Sequence, residues 1–121
     1  MAKKGVARVA VRTRIRILHG SEFAIGPGKA DLLEAIAQTG SISSAARHLK
    51  MSYRRAWLLI DTMNQCFRLP VVDTATGGKG GGGAQITEFG RAALQEYRMM
   101  EGRAARAIAG SVAAFNRLLR K

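Results

Sequence analysis

The sequence predicts a mostly α-helical fold that carries a small β hairpin and two further strands near the N-terminus. Apolar residues recur at steps of three or four along most of the chain, as they do on the buried face of a helix. Residues 11–18 instead alternate, and residues 71–86 hold short β-prone runs around a glycine-rich centre. A chain of 121 residues, 47% of them apolar, is large enough for one such domain with its own core.

The charge of the chain indicates a polyanionic partner. Its 20 Lys and Arg residues outnumber 8 Asp and Glu residues, which gives a net charge of +12 that favours phosphate neutralisation and counterion release. Charge alone does not distinguish DNA from RNA or anionic lipid. No run of 18 apolar residues is present, and the N-terminus lacks the apolar centre of a signal peptide, so we expect no membrane segment and a cytoplasmic, nucleoid-associated location.

The first eighteen residues are expected to divide into a flexible end and a strand. Residues 1–9 carry three cations and no acid, a composition typical of a flexible terminus. The alternation of residues 11–18 predicts a half-buried strand with Arg12, Arg14 and Arg16 on its outer face. These arginines form either a solvated face or an extension of a surface that contacts phosphate.

A turn, a second strand and the first helix are predicted next. Residues 19–21 are typical of a turn, and residues 23–25 of a short strand that ends at the Gly-Pro-Gly of residues 26–28. Helical spacing of apolar residues then predicts a helix over residues 29–38, with polar residues on its opposite face. Gly40 is expected to end this helix.

Residues 40–64 are predicted to form two short helices joined by a tight turn. The first covers residues 43–49, and residues 50–52 form the turn. Ser52 is expected to cap the second helix, since its hydroxyl can accept a hydrogen bond from an N–H group of the first turn. The residues expected to face inward are Ala56, Leu59, Ile60, Met63 and Phe67.

The start of the second helix is expected to enter the major groove of DNA, as in a helix-turn-helix. Arg54 and Arg55 lie beside the capped helix end, where arginine contacts phosphate or the edge of guanine. Trp57 lies one turn beyond Tyr53 and either packs between this helix and the following hairpin or touches a base. His48 is expected at the surface or close to a phosphate, and not in a catalytic role.

Pro70 is expected to end the second helix, and residues 71–73 to begin a hairpin. Its centre, residues 74–84, holds six glycines around Lys79. A Walker loop is excluded because glycine follows the lysine where Ser or Thr should hold magnesium, and no helix begins there. An interdomain linker fits the composition but not the flanking β-prone pairs. We therefore expect a basic wing whose backbone N–H groups approach phosphates or a minor groove, with Lys79 as its charge.

The remainder of the chain is predicted to be helical, with Thr87 as its cap and Glu88 in its first turn. An apolar seam spans more than thirty residues, about 45 Å of helix, which is longer than this small domain can cover. A homodimer is therefore expected. Gly102 and Gly110 leave open whether the segment is one long helix or two. The seam comprises Phe89, Ala93, Tyr97, Met100, Ala104, Ile108, Val112, Phe115 and Leu119.

An enzyme is not predicted. Two histidines, one cysteine and eight dispersed acids do not combine into a catalytic triad, a carboxylate pair or a set of metal ligands. Cys66, the single cysteine, is expected to be a buried thiol on the second helix of the pair.

The segments GSISSAARHLKMSYRRAW, DTMNQ and above all ATGGKGGGGAQIT resemble the N-terminal domain of ModE-type, molybdate-responsive transcription regulators, whose helix-turn-helix is similar to that of LysR-type regulators. The resemblance covers roughly residues 30–100. It implies a winged helix-turn-helix, dimerisation through helices flanking the wing, and a palindromic operator near molybdenum-uptake genes. The candidate DNA-binding residues are Ser43, Ser52, Tyr53, Arg54, Arg55, Trp57, Thr76, Gly77, Gly78, Lys79 and Gly80.

We accordingly predict a flexible basic N-terminus at 1–9, a winged helix-turn-helix DNA-binding domain at 10–86, and a C-terminal helical dimerisation segment at 87–121. Full-length relatives continue into a molybdate-binding domain that these residues do not include, so no cofactor is expected in this chain. The leading hypothesis is a homodimeric transcription regulator, repressor or activator, that reads a two-fold site in double-stranded DNA. The alternative is a sequence-neutral architectural protein that coats nucleic acid, and a third hypothesis is membrane-surface association through residues 3–16.

Overall fold

A computed structural model describes residues 10–74 and 83–121 of the chain. The predicted flexible end, residues 1–9, and most of the predicted wing loop, residues 75–82, lie outside the described residues. The described chain is mostly helical with small antiparallel strand pairs, as predicted. Its elements are β1 (Ile17–His19), β2 (Glu22–Ile25), α1 (Pro27–Thr39), α2 (Ile42–His48), α3 (Tyr53–Cys66), β3 (Val72–Thr74), β4 (Ala84–Ile86), α4 (Glu88–Ala107) and α5 (Ala109–Asn116).

The N-terminal strand is shorter than the alternation of residues 11–18 predicts. β1 begins only at Ile17, which lies opposite Ile25 in an antiparallel pair with β2. A strand needs a hydrogen-bonded neighbour, and β2 ends at Ile25 because Pro27 begins α1. Nothing in the described part of the chain is therefore placed to pair with the residues before Ile17. Along residues 12–17, exposed arginines do alternate with half-buried residues, as predicted.

The first helix, α1, begins two residues earlier and ends one residue later than predicted. Pro27 occupies its first turn, where a missing N–H group costs no helical hydrogen bond. Gly40 ends the helix in the left-handed conformation, at φ 70°, and its N–H donates to the carbonyl of Ile36. The buried face of α1 consists of Ala30, Leu32, Leu33, Ala35 and Ile36.

Serine side chains cap both helices of the predicted helix-turn-helix. Ser41 begins α2 by accepting a hydrogen bond from the N–H of Ser44 at 3.1 Å. Ser52 caps α3 as predicted, by accepting a hydrogen bond from the N–H of Arg55 at 3.0 Å. Between the helices, Lys50 adopts a left-handed φ of 60°, which is uncommon for a residue with a side chain and makes the turn tight.

The second helix of the pair, α3, ends before Pro70 can break it. Phe67 is already extended and caps the helix. The side-chain carbonyl of Asn64 accepts a hydrogen bond from the N–H of Val71 at 2.8 Å, and its amide donates to the carbonyl of Val72 at 3.3 Å. Asn64 therefore fixes the return of the chain from α3 to the hairpin, and the proline lies within that return.

The predicted hairpin is present as β3 and β4, which pair in register from Val72 opposite Ile86 to Thr74 opposite Ala84. Thr87 follows the hairpin and caps α4 as predicted, by accepting a hydrogen bond from the N–H of Gly90 at 2.8 Å. The Thr87 hydroxyl also donates to the carbonyl of Pro70 at 2.7 Å, so one side chain ties the start of α4 to the chain entering the hairpin.

The core lies where α1, α2, α3 and the hairpin meet, and Ala45, Ile60 and Met63 are among its buried residues. Cys66 is half-buried, not fully buried as predicted. It lies in the last turn of α3, off the stripe that Ile60 and Met63 form on that helix. Phe67 and Phe89 close one side of the core, with ring centroids 6.1 Å apart in an edge-to-face arrangement.

Two side chains attach α4 to the N-terminal half of the chain. Tyr97 is 1% exposed, and its hydroxyl donates to the carbonyl of Ile15 at 2.6 Å. Arg98 binds the carboxylates of Asp31 and Glu34 on α1, at 2.9 and 2.6 Å. Burial by itself would lower the pKa of Arg98, but hydrogen bonds to these carboxylates and to Glu101 outweigh that effect and raise it.

The C-terminal segment consists of two consecutive helices. α4 ends before Ile108 and α5 begins after it, so the division falls at neither Gly102 nor Gly110. The apolar seam packs on the core only in its first part, through Tyr97 and its neighbours. Beyond α4 three of the four seam residues are exposed, Ile108 by 41%, Phe115 by 59% and Leu119 by 45%, while Val112 is half-buried.

Candidate nucleic-acid interface

The N-terminal half of α3 presents a cationic face to solvent. Tyr53, Arg54 and Arg55 are all exposed, while Ala56 and Ile60 are buried against the core. Successive residues of a helix differ by about 100° in direction, so the two arginines leave α3 toward different sides. Arg55 points toward the pair of strands β1 and β2, which we call the N-terminal hairpin. There it lines a cavity with residues of β2 and α1.

The two aromatic residues predicted at this site contact each other. The rings of Tyr53 and Trp57 meet edge to face, with centroids 6.2 Å apart and planes at 78°. Trp57 is half-buried and packs against the core, whereas Tyr53 is 53% exposed. Trp57 thus supports a tyrosine ring that is accessible to a partner.

Leu58 and Asp61 were not among the predicted site residues, although they lie on the same face as Arg54. Leu58 is 56% exposed, and Asp61 is also exposed. Their spacing of four and seven residues from Arg54 places all three in one stripe opposite the buried face, and that spacing was available in the sequence. In a major groove, an apolar side chain can contact the thymine methyl group and a carboxylate can accept from the cytosine amino group.

The first helix of the pair contributes a polar edge beside this face. Ser43 is exposed in the first turn of α2. Arg47 is exposed one turn later, and its guanidinium donates to the hydroxyl of Ser44 at 3.4 Å. Ser52 is exposed at the start of α3, but its hydroxyl already accepts the capping hydrogen bond, so its first role is structural.

The wing joins the domain next to the start of the helix-turn-helix. Gly83 forms an isolated bridge with Ser41, and the N–H of Ala84 donates to the carbonyl of Gly40 at 3.2 Å. These contacts fix the base of the wing to the junction of α1 and α2. The predicted wing residues Thr76, Gly77, Gly78, Lys79 and Gly80 lie outside the described residues.

The acidic residues of α1, Asp31 and Glu34, lie against α4. His48 is exposed at the surface, as predicted, and lines a cavity of about 270 Å³ with Asp31, Glu34 and Arg98. Both carboxylates are bound by Arg98. Across residues 10–74 and 83–121, no group of three His, Cys, Asp or Glu side chains is placed to hold a metal ion. No helix within the same ranges is long and apolar enough to cross a membrane.

Residues 29–91, just over half of the chain, match the family of bacterial regulatory helix-turn-helix proteins of the lysR type. The chain is 47% identical to the molybdenum transport protein ModE of Azotobacter vinelandii over 70 residues, which are 58% of this chain and 26% of that protein. It is 45% identical to the DNA-binding transcriptional dual regulator ModE of Escherichia coli (strain K12), over 61% of this chain and 28% of that protein.

A third relative is the molybdenum-pterin-binding protein MopA of Rhodobacter capsulatus, 40% identical over 69% of this chain and 32% of its own length. The chain thus spans about a third or less of the length of these curated relatives. The fold is similar to that of the DNA-binding domain of CbnR, solved in a complex with DNA, with a TM-score of 0.58 at 21% identity over 72% of this chain and 94% of that one. The predicted resemblance is confirmed, and the chain belongs to the LysR family of bacterial regulatory helix-turn-helix proteins.

Proposed function

We propose that this chain is a transcription regulator that binds double-stranded DNA in a sequence-specific manner. The observation that carries the proposal is the exposed face of α3, on which Arg54, Leu58 and Asp61 offer charged and apolar groups at the spacing of one helix face, next to the exposed ring of Tyr53. A helix that only neutralised phosphate would need the cations alone. The fold similarity to a DNA-binding domain and the regulators among the relatives support the same function.

The residues proposed to contact DNA divide into three groups. Those at the start of α3, from Ser52 to Trp57, enter the major groove and contact bases or phosphates, Ser43 of α2 contacts the backbone beside it, and the wing reaches an adjacent groove or phosphate. We propose residues 10–86 as the DNA-binding unit and residues 87–121 as the segment that joins two copies. The proposed contacts are Ser43, Ser52, Tyr53, Arg54, Arg55, Trp57, Thr76, Gly77, Gly78, Lys79 and Gly80.

Selection of bound sequences from random duplex DNA, followed by footprinting, tests this function. Two protected half-sites related by a two-fold axis and centred about 34 Å apart are expected if the chain binds as a homodimer. A single protected half-site would retain sequence-specific binding but exclude the dimer. Equal affinity for selected and random duplexes, with the same salt dependence for both, would contradict the proposal and indicate sequence-neutral coating of nucleic acid.

The selection is to be run with and without molybdate, because relatives are named for molybdenum transport and molybdenum-pterin binding. We propose that genes of molybdenum uptake or metabolism are the targets and that this chain itself holds no cofactor. The same sequences and affinities are expected in both conditions. A molybdate-dependent change in affinity would show that these residues sense the anion directly. Binding to chromosomal DNA would place the protein at the nucleoid in the cytoplasm.

A further inference from the structure

A small cavity of about 220 Å³ lies between the N-terminal hairpin, the start of α1 and one side of α3. We call it the cationic cleft, because three of its lining residues are basic: Arg16 before β1, Lys29 in the first turn of α1, and Arg55 on α3. The other lining residues are Phe23, Gly26, Pro27, Gly28 and Leu59. None of the eight is acidic.

Neighbouring groups hold two of the three cations in place. The guanidinium of Arg16 lies over the ring of Phe23, 5.6 Å from its centroid. The ammonium of Lys29 donates to the carbonyl of the same Phe23. Gly26 makes room for the Arg16 stem, since a Cβ atom at residue 26 would lie only 3.1 Å from the Arg16 Cγ. The positive groups are therefore positioned before any partner binds.

The charge of this cleft is not balanced within the described residues. Every ion pair found in residues 10–74 and 83–121 involves Arg98, so Arg16, Lys29 and Arg55 have no carboxylate within 4.0 Å there. Partial burial lowers the pKa of Lys29, although nearby Cys66 and Glu22 oppose that effect. An anion bound in the cleft would supply the negative charge that no ion pair gives these three side chains.

The position of the cleft indicates which anion it holds. Arg55 belongs to both the cleft and the helix proposed to enter the major groove, so the cleft lies beside the duplex bound there. Arg14 and Arg12 precede Arg16 in the chain and are exposed at every second residue. Several exposed cations that include a residue of α3 and continue along the chain through Arg14 and Arg12 fit a polyanionic strand better than a small ion.

We propose that the cationic cleft binds a backbone phosphate of the same DNA duplex that α3 reads, and that Arg14 and Arg12 follow that strand beyond the recognised site. The proposal rests on the DNA-binding function proposed above. It assigns the N-terminal hairpin a sequence-independent role: the hairpin fixes the register of the protein on DNA and adds affinity, while α3 supplies the base preference.

The test measures the affinity of the full chain as a function of salt concentration, on a selected duplex and on a random duplex of equal length. The variants are Arg16→Gln and Lys29→Met, singly and together, which remove charge but keep most of each side-chain stem. Arg103→Gln is the matched control, because Arg103 is an exposed arginine on α4, outside the cleft. Circular dichroism and thermal unfolding establish that each variant is folded.

The slope of log affinity against log salt concentration is negative, and its magnitude is expected to fall by about 0.9 for each phosphate that the variant no longer neutralises. The fall should be the same on both duplexes, with the base preference retained, and Arg103→Gln should leave the slope unchanged. Arg16→Lys, which keeps the charge, should retain the wild-type slope, and it tests the role of charge even if a neutral variant unfolds. A wild-type slope in folded Arg16→Gln and Lys29→Met would overturn the proposal, and so would a changed base preference.

The two proposals fail in different ways. If the wild-type chain bound selected and random duplexes equally, sequence-specific regulation would be wrong, yet a reduced slope in the variants would still support the phosphate contact. If the wild-type chain preferred the selected duplex and the variants kept its slope, the regulator would stand and the cleft would not bind the DNA backbone.

Discussion

Arg54 and Arg55 are adjacent in sequence, but the structure gives them different surroundings. Arg55 lines the cationic cleft with Arg16 and Lys29, where a phosphate is the expected partner. Arg54 lies in one stripe with the exposed residues Leu58 and Asp61, on the face most distant from the core. Phosphate contacts position a protein on DNA, whereas base contacts specify sequence, so the two arginines should affect binding in different ways.

Replacing Arg54 with alanine is expected to relax specificity. If Arg54 donates to the edge of a guanine, Arg54→Ala should cost about 1–3 kcal/mol on the selected site and much less on random duplex. Competition binding between the two duplexes measures the difference. Arg55→Ala is the informative comparison, since it should weaken both duplexes alike. Equal weakening of both duplexes by Arg54→Ala would assign Arg54 to the backbone.

Among the glycines in the described residues, Gly90 is the one whose added Cβ atom would meet the closest contact. A Cβ atom there would lie 2.2 Å from the carbonyl oxygen of Val71, and backbone cannot move aside as a flexible side chain can. Gly90→Ala should therefore destabilise the protein by about 1–3 kcal/mol or more, despite the better helix propensity of alanine. Urea unfolding measures the loss.

Gly110→Ala is the matched control, because Gly110 is also helical but has no atom within 4 Å of the added methyl group. This variant should be stabilised by about 0.5–1 kcal/mol, the usual gain from alanine in a helix. If both variants were more stable than the wild type, Gly90 of α4 could not lie as close to the backbone of Val71 as the structure places it.

At the scale of the elements, Tyr97 connects α4 to the N-terminal segment. Its hydroxyl donates to the carbonyl of Ile15, next to Arg16 of the cationic cleft. Tyr97→Phe removes this bond and should cost about 0.5–1.5 kcal/mol in the free energy of unfolding. Trypsin should also cleave at Arg14 and Arg16 sooner in the variant. Tyr53→Phe should change neither measurement, because the Tyr53 side chain is exposed.

The hydrogen bond from the Tyr97 hydroxyl also makes the free energy of unfolding depend on pH in the alkaline range. Burial, and then the charge of Glu101, raises the pKa of Tyr97, so the folded state favours the neutral hydroxyl. Below pH about 10 the tyrosine is neutral in both states and its contribution is complete. As the pH rises further, the unfolded chain ionises first and stability falls. Urea unfolding between pH 8 and about 11 should show a shallower decline for Tyr97→Phe; an unchanged decline would exclude this role for Tyr97.

The helices and their caps could be predicted from the sequence because their signals are local. Ser52, Thr87 and Gly40 act on residues within one turn, and all three occupy the predicted positions. The lengths of β1 and α3 could not be predicted in the same way. β1 is limited by the end of its partner β2, and α3 ends where Asn64 binds the returning chain, so both depend on residues brought together by folding.

The candidate site was predictable to a similar extent. Helical spacing identifies one stripe that contains Arg54, Leu58 and Asp61. A choice of site residues by residue type alone omits Leu58 and Asp61. The cationic cleft was not predictable, because Arg16, Lys29 and Arg55 come from three elements and no spacing relates them. The C-terminal seam could be predicted only in part. Its apolar period is local, but only packing shows that Tyr97 is buried and Phe115 is exposed.

For the whole molecule, the distribution of apolar surface complements the distribution of charge. Arg55 of α3 and Arg16 of the N-terminal segment line one cleft. The exposed apolar residues of the C-terminal segment lie beyond the part of α4 that packs on the core. Several exposed apolar residues on one segment, here Ile108, Phe115 and Leu119, favour burial against a partner. A second copy of the chain fits both observations, since a two-fold dimer would present two cationic faces to one duplex.

The proposed dimer leads to a final prediction about Phe115, which is 59% exposed on α5. Phe115→Asp would place a charge in the proposed interface, and burying an unpaired charge costs far more than the missing apolar area contributes. The variant should sediment as a monomer and protect one half-site where the wild type protects two. Ala113→Asp is the control, because position 113 lies away from the stripe of Ile108, Val112 and Phe115. If Phe115→Asp remained dimeric, the interface would have to lie on another face. If the wild type were monomeric, the dimer itself would be excluded.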